Sequence, residues 1–149
     1  MGEISSPIHP RHVASEPEER QAQGIERVAQ GVIDCAREVG KRLGTGLSVE
    51  AYEDALASLL QERSLKFARQ YPVGIPFNGP PDRGFRADFF VEAWVLLELK
   101  AVDRLTLEHS DQALNYLRES GAKVCLLINF GRPRVEIQRI LPTGETTHA

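Results

Sequence analysis

The sequence predicts one mixed α/β domain whose elements follow the order ααβββαββ. The chain has 149 residues, a length typical of a single domain. Three segments repeat apolar residues at intervals of three and four, as one face of an amphipathic helix does. Five shorter segments are continuously apolar or alternate with polar residues, which is typical of strands. Helices packed on a mixed sheet bury both kinds of apolar surface.

Composition and charge exclude several classes of protein. Hydrophobic residues make up 42% of the chain and charged residues 26%, as in soluble globular proteins. No apolar run is long enough for a transmembrane helix, and the first residues lack a secretory signal, so we expect a cytoplasmic protein without a membrane role. A net charge of −3 argues against binding nucleic acid by bulk charge but allows a local basic site. Cys35 and Cys125 are too far apart for a zinc motif and are expected to be reduced thiols.

The amino-terminal half predicts two helices. The first apolar stripe spans residues 20–43 and ends at a Gly-Thr-Gly segment. Ser48 is a candidate N-cap for a second helix that ends near Arg63. Residues 1–19 are rich in Pro, Ser and Glu and are expected to form a flexible arm. The predicted domain spans residues 20–141, followed by a tail at 142–149.

The remaining elements are three strands, a helix and two strands. Residues 66–77 have extended character, and two apolar runs at 86–91 and 94–101 predict a hairpin. A third helix is expected from the cap Thr106 to about Ser120, with Gly121 just beyond it. Strands at 123–129 and 134–140 complete the sheet.

Polar residues in the predicted hairpin indicate chemistry. Glu98 and Lys100 are two residues apart, so on a strand they share a face, and Asp88 interrupts the preceding strand. Two converging carboxylates could hold Mg²⁺ or Mn²⁺, with Lys100 beside the ion. A structural ion pair between these residues is the alternative, and by their spacing alone it is the commoner one.

The length of the hairpin loop decides whether the two carboxylates meet. Asp88 lies opposite Glu98 if the loop has an odd number of residues, such as Glu92-Ala93-Trp94, or if a β-bulge intervenes. A two-residue turn without a bulge would instead place Leu97 opposite Asp88. We therefore predict an odd loop and two carboxylates on one face.

The third helix presents a second polar group. His109, Gln112 and Tyr116 follow one another at steps of three and four and so share a helix face. Gln112 and Tyr116 could position the lysine or a phosphate. A solvated polar face with a half-buried tyrosine is the alternative.

Several motifs in order resemble those of a known family. They are Glu38-Val39, Leu43-Gly44-Thr45-Gly46-Leu47, Tyr52-Glu53-Asp54-Ala55-Leu56, Arg69-Gln70, Arg86-Ala87-Asp88, Leu97-Glu98-Leu99-Lys100-Ala101, Gln112-Ala113-Leu114-Asn115-Tyr116-Leu117 and Leu126-Leu127-Ile128-Asn129-Phe130. Together they are similar to the GxxExxY proteins, a branch of the PD-(D/E)XK nuclease superfamily. The resemblance implies a mixed central sheet flanked by helices and Mg²⁺-dependent phosphodiester hydrolysis of nucleic acid.

The resemblance also implies roles for individual residues. Asp88 matches the motif aspartate, Glu98 and Lys100 match the ExK element, and Gln112 with Tyr116 matches the QxxxY element of RecB-like members.

The sequence departs from the family pattern twice. The family glutamate corresponds to Val49, although Tyr52 is kept, and a histidine common before the Leu-Gly-x-Gly segment corresponds to Gly40. If the missing glutamate serves the reaction, its loss weakens catalysis.

Two functions remain open at this point. The first is a metal-dependent nuclease in which Asp88, Glu98 and the carbonyl of Leu99 hold Mg²⁺ or Mn²⁺ and Lys100 stabilises the transition state. Its predicted phosphate contacts are Arg69, Arg83, Arg86 and Arg104. The second is a non-catalytic protein of nuclease fold that serves as a homo-oligomeric structural or binding module.

Overall fold

The computed structural model describes residues 10–74 and 85–149, with side chains described from residue 16 onward. Its helices and strands, in chain order, are α1 (Pro10–Leu43), α2 (Val49–Glu62), β1 (Phe67–Pro72), β2 (Arg86–Val91), β3 (Val95–Lys100), α3 (Leu107–Ser120), β4 (Val124–Asn129), β5 (Glu136–Ile140) and β6 (Thr146–His148). The predicted mixed α/β fold is confirmed. Among the described residues, no helix is both long and apolar enough to cross a membrane.

One six-stranded sheet, in the order β1-β2-β3-β4-β5-β6, divides the core into two layers. Neighbouring strands are antiparallel except for β3 and β4, which are parallel and joined through α3. Helices α1 and α2 pack on one face, against residues such as Leu97 and Leu99. Helix α3 packs on the other face, against Leu96 and Leu127. Alternate residues of β3 therefore face opposite layers.

The predicted helix ends are confirmed where a side chain caps the helix. Ser48 precedes α2 and its hydroxyl accepts the N–H of Ala51, while Thr106 caps α3. Gly121 ends α3 in the left-handed conformation, with φ of 72°.

The ends of the chain are more regular than the sequence predicts. Helix α1 begins at Pro10 rather than near residue 20, so residues 10–19 of the predicted flexible arm are helical, and residues 1–9 lie outside the described residues. Residues 16–23 are exposed, because the helix continues beyond its apolar stripe on residues such as Glu, Arg, Gln and Ala that favour helix without packing. In the predicted tail, β6 pairs with β5 through backbone hydrogen bonds, which side-chain periodicity does not report.

A close backbone contact follows β4. A Cβ at Gly131 would overlap the backbone of Val102, whereas a Cβ at Gly31, inside α1, would make only ordinary contact with Leu65. We expect Gly131→Ala to lower the free energy of unfolding by about 2 kcal/mol or more, because backbone cannot move aside as a side chain can. Gly31→Ala should be neutral or stabilising, since alanine favours helix. Urea denaturation of both variants tests this, and equal stabilities would contradict it.

Candidate active site

The β2–β3 hairpin brings Asp88 and Glu98 opposite each other. Val91 pairs with Val95 and Phe89 with Leu97, and the same register continues to Asp88 and Glu98. The loop has three residues, 92–94, and two of them have positive φ. The predicted odd loop is confirmed, and both carboxylates lie on the face of the sheet that packs against α3.

The two carboxyl groups differ in their partners. Asp88 Oδ2 accepts the Leu99 backbone N–H at 2.7 Å, and Oδ1 lies 3.4 Å from the amide nitrogen of Gln70. Glu98 is only 7% exposed, and its Oε1 is buried without a hydrogen-bond partner among the described residues. Among the described residues, no ion pair joins Lys100 to Asp88 or Glu98. The structural ion pair that the sequence allows as an alternative is therefore not formed.

Burial and mutual repulsion disfavour ionisation of this pair. Burial, followed by the charge of Asp88, raises the pKa of Glu98 to about 8, although Lys100 lowers it. Burial also raises the pKa of Asp88, and the Glu53 carboxylate adds to the rise while the Leu99 N–H opposes it. Without a bound cation the site therefore retains a proton near neutral pH. A site of this kind gains from a cation that allows both groups to ionise.

Glu53 on α2 is a third acidic residue close to this pair, and sequence reasoning missed its role. It is 7% exposed, and its Oε1 accepts from Nε and Nη2 of Arg69 at 3.1 and 3.0 Å. The amide of Gln70 connects it to Asp88, lying 3.3 Å from Glu53 Oε1. A signal was present, because Glu53 occupies a position on the apolar stripe of α2, four residues after Val49 and three before Leu56.

Gln70 contacts the carboxylates of Glu53 and Asp88 from an unusual backbone conformation. It has φ of 50° inside β1, between the paired residues Arg69 and Tyr71. A left-handed conformation in a strand is strained for a residue other than glycine. The sequence carries no signal of it.

Helix α3 contributes Tyr116 from the facing layer. Tyr116 is 9% exposed and packs in the layer that holds Leu96, and burial followed by the charge of Glu98 raises its pKa. Gln112 is exposed and its amide lies 3.4 Å from the Tyr116 hydroxyl. His109, predicted on the same helix face, instead caps the helix through Nδ1, which accepts the Thr106 backbone N–H.

The predicted phosphate contacts are only partly available. Arg69 is paired with Glu53 and with Asp54, so its positive charge is already neutralised. Arg86 donates to the Gln70 carbonyl at 3.2 Å. Arg104 is exposed, and Arg83 lies outside the described residues. A charge count from the sequence cannot reveal these acidic partners of Arg69, and its contact with phosphate stays a prediction.

The two departures from the family pattern have structural counterparts. Val49 packs against the apolar layer of α1 and α2, and Glu53, one turn further along, is the α2 carboxylate that approaches Asp88. Gly40 lies against Val135, where a Cβ would overlap the valine side chain.

The residues present fit a small divalent cation. No group of three or more His, Cys, Asp and Glu side chains suited to a metal occurs among the described residues. Magnesium, however, is commonly held by one or two carboxylates with water and substrate oxygens. Asp88 and Glu98 provide oxygen ligands only, and a cation would supply the partner that the buried Glu98 Oε1 does not find in the described part of the chain.

One comparison with known proteins is informative. The family model of the PD-(D/E)XK nuclease superfamily matches residues 26–140, which is more than half of the chain. Neither the curated proteins nor the solved structures include a significant match to this chain. The matched region contains every described residue of the candidate site.

Proposed function

We propose that this chain, which belongs to the PD-(D/E)XK nuclease superfamily, is a metal-dependent nuclease with its active site at Asp88 and Glu98. The observation that carries the proposal is the buried Oε1 of Glu98, which has no hydrogen-bond partner among the described residues and lies beside a second carboxylate. Such a pair costs stability unless a cation neutralises it, so a purely structural role does not account for it.

Each residue of the site has a separate role in phosphodiester hydrolysis. Asp88, Glu98 and the Leu99 carbonyl would hold Mg²⁺ or Mn²⁺, which when bound supplies a Lewis acid for the scissile phosphate. The Leu99 N–H fixes the orientation of the Asp88 carboxylate at 2.7 Å. Lys100 donates to a phosphate oxygen and stabilises the charge that develops in the transition state.

Residues around the pair act by positioning it. Arg69 forms an ion pair with Glu53, and the Gln70 amide lies within hydrogen-bond distance of both Glu53 and Asp88, so these contacts hold the two carboxylates in place. On the α3 side, the Tyr116 hydroxyl lies 3.4 Å from the Gln112 amide and close enough to Glu98 that this carboxylate adds to the rise of the Tyr116 pKa that burial causes. This contact supports our finer proposal of a RecB-like QxxxY element, whereas the proposed membership of the GxxExxY branch is supported by the order of the sequence motifs.

Metal binding and cleavage test the proposal together. We expect Mn²⁺ to bind the wild-type protein in a calorimetric titration and Asp88→Asn to abolish the binding heat, because one carboxylate cannot replace two. Cleavage of DNA or RNA should require Mg²⁺ or Mn²⁺ and stop in chelator. The rate should be low if the family glutamate, which is replaced by Val49 here, serves the reaction. Asp111→Asn is the matched control, since Asp111 is exposed on α3.

Metal binding without any cleavage would support the alternative, a non-catalytic homo-oligomeric module of nuclease fold. Equal Mn²⁺ binding by wild type and Asp88→Asn would place the metal elsewhere and overturn the proposed site.

A further inference from the structure

Three cations surround a surface cavity of about 390 Å³ between α1 and the β4–β5 loop. Arg37 and Lys41 line it from the last turns of α1, and Arg134 lines it from the loop. The other lining residues are Gly40, Pro133 and Val135, so none of the described carboxylates lines the cavity. Its chemistry is therefore that of a site for an anion.

The three positive charges have no acidic partner at ion-pair distance among the described residues. Within the described part of the chain, Arg37, Lys41 and Arg134 make no ion pair. By contrast, Arg42 in the same helical turn pairs with Glu38 at 2.8 Å. Arg37 and Lys41 are four residues apart on a helix, where like charges repel. A bound anion would relieve this repulsion.

Gly40 allows the cavity to form. A Cβ at this position would overlap Cγ2 of Val135, so a larger residue would push the β4–β5 loop away from α1. The loop would then carry Arg134 away from Arg37 and Lys41. The glycine that departs from the family pattern thus allows the close approach of α1 and the loop that carries Arg134.

The cavity lies at the edge of the sheet where Lys100 ends β3. Lys100 pairs with Asn129 at the end of β4, and the β4–β5 loop begins directly after it. Phe130 stacks on Tyr52 with ring centroids 4.7 Å apart, and Tyr52 adjoins Glu53 on α2. The Tyr52 hydroxyl in turn donates to Gly44, just beyond the end of α1, at 2.6 Å. The β4–β5 loop therefore contacts α2 through Phe130 and lines the cavity through Pro133, Arg134 and Val135.

We propose that Arg37, Lys41 and Arg134 bind backbone phosphates of the nucleic acid whose scissile bond lies at Asp88 and Glu98. The inference rests on the proposed function and adds the surface that holds the substrate. A protein with a net charge of −3 needs such a local cluster, because its overall field repels a polyanion. The cluster differs from the arginines predicted from the sequence, of which Arg69 is neutralised by its partners.

Binding measured without cleavage tests this proposal. The probes are fluorescein-labelled DNA and RNA oligonucleotides, single- and double-stranded, followed by anisotropy in chelator at several salt concentrations. We expect Arg37→Ala/Lys41→Ala/Arg134→Ala to bind about ten- to a hundred-fold more weakly, with a salt slope reduced by about 2 to 3. Arg42→Ala, the matched control, should bind as wild type does.

Two further measurements separate charge from folding and from catalysis. Arg37→Lys/Arg134→Lys keeps the charges and should retain most of the salt slope. Glu98→Gln should bind the oligonucleotides while failing to cleave them, so loss of binding and loss of catalysis are scored independently. If the wild-type protein binds the oligonucleotides but does not cleave them, the proposed nuclease function fails, whereas Arg37, Lys41 and Arg134 still form a nucleic-acid-binding surface.

Three results would overturn the proposal. The first is oligonucleotide binding by the triple alanine variant that equals wild type. The second is an absence of binding by the wild-type protein. The third is a wild-type protein that binds inorganic phosphate but no oligonucleotide, together with a triple variant that does not bind phosphate. That result would identify a free phosphate rather than a nucleic-acid backbone as the ligand.

Discussion

Replacing Glu98 with glutamine is expected to abolish cleavage while making the metal-free protein more stable. The amide has nearly the shape of the carboxyl group but cannot bring a negative charge to a cation. We expect the cleavage rate to fall by about a thousand-fold or more, because a bound divalent ion contributes several kcal/mol to the transition state. In chelator at pH 8 the thermal midpoint should rise, because the variant removes a buried charge beside Asp88.

The combination of the two effects distinguishes a catalytic carboxylate from a structural one. A structural glutamate would lose stability on substitution, and cleavage would fall only as far as folding does. Glu108→Gln is a suitable control, because Glu108 is an exposed residue in the first turn of α3. Cleavage by Glu98→Gln at the wild-type rate would show that the activity comes from other chemistry or from contamination.

Local sequence signals predicted most of the fold. The caps Ser48 and Thr106 and the hairpin loop at 92–94 act through residues close in sequence, and each lies where it was expected. The start of α1 and the strand β6 were missed for a different reason. An exposed stretch of helix and a strand held by backbone pairing show no periodic apolar residues. Periodic apolar residues are the signal by which a sequence predicts helices and strands.

The candidate site was predicted where it depends on strand periodicity and missed where it depends on distant contacts. Asp88 and Glu98 meet because two strands pair in a definite register, which the loop length sets. Glu53 reaches Asp88 only through Gln70, whose positive φ has no counterpart in the sequence. Arg37 and Arg134 are separated by most of the chain, and only the packed loop brings them to one cavity.

The stability of the metal-free protein should fall as pH rises from about 4.5 to about 8. In the unfolded chain Glu98 ionises near its ordinary pKa of 4.5, whereas the folded protein keeps the proton until its pKa of about 8 is reached. Between these values the unfolded state binds fewer protons than the folded state, so the free energy of unfolding falls as the pH rises, by on the order of 1 kcal/mol per pH unit. The raised pKa of Asp88 acts in the same direction.

Urea denaturation at a series of pH values, with chelator and with Mn²⁺, measures this slope. The double variant Asp88→Asn/Glu98→Gln should lose most of the dependence, because it carries neither titrating group, and it should be the more stable protein at pH 8. Saturating Mn²⁺ should reverse the slope for wild type, since the cation binds the deprotonated pair and competes with protons for it. A stability in chelator that rises over this range would mean that Lys100 already neutralises the carboxylates. The pair would then be a structural ion-pair cluster, and the metal site proposed at Asp88 and Glu98 would be wrong.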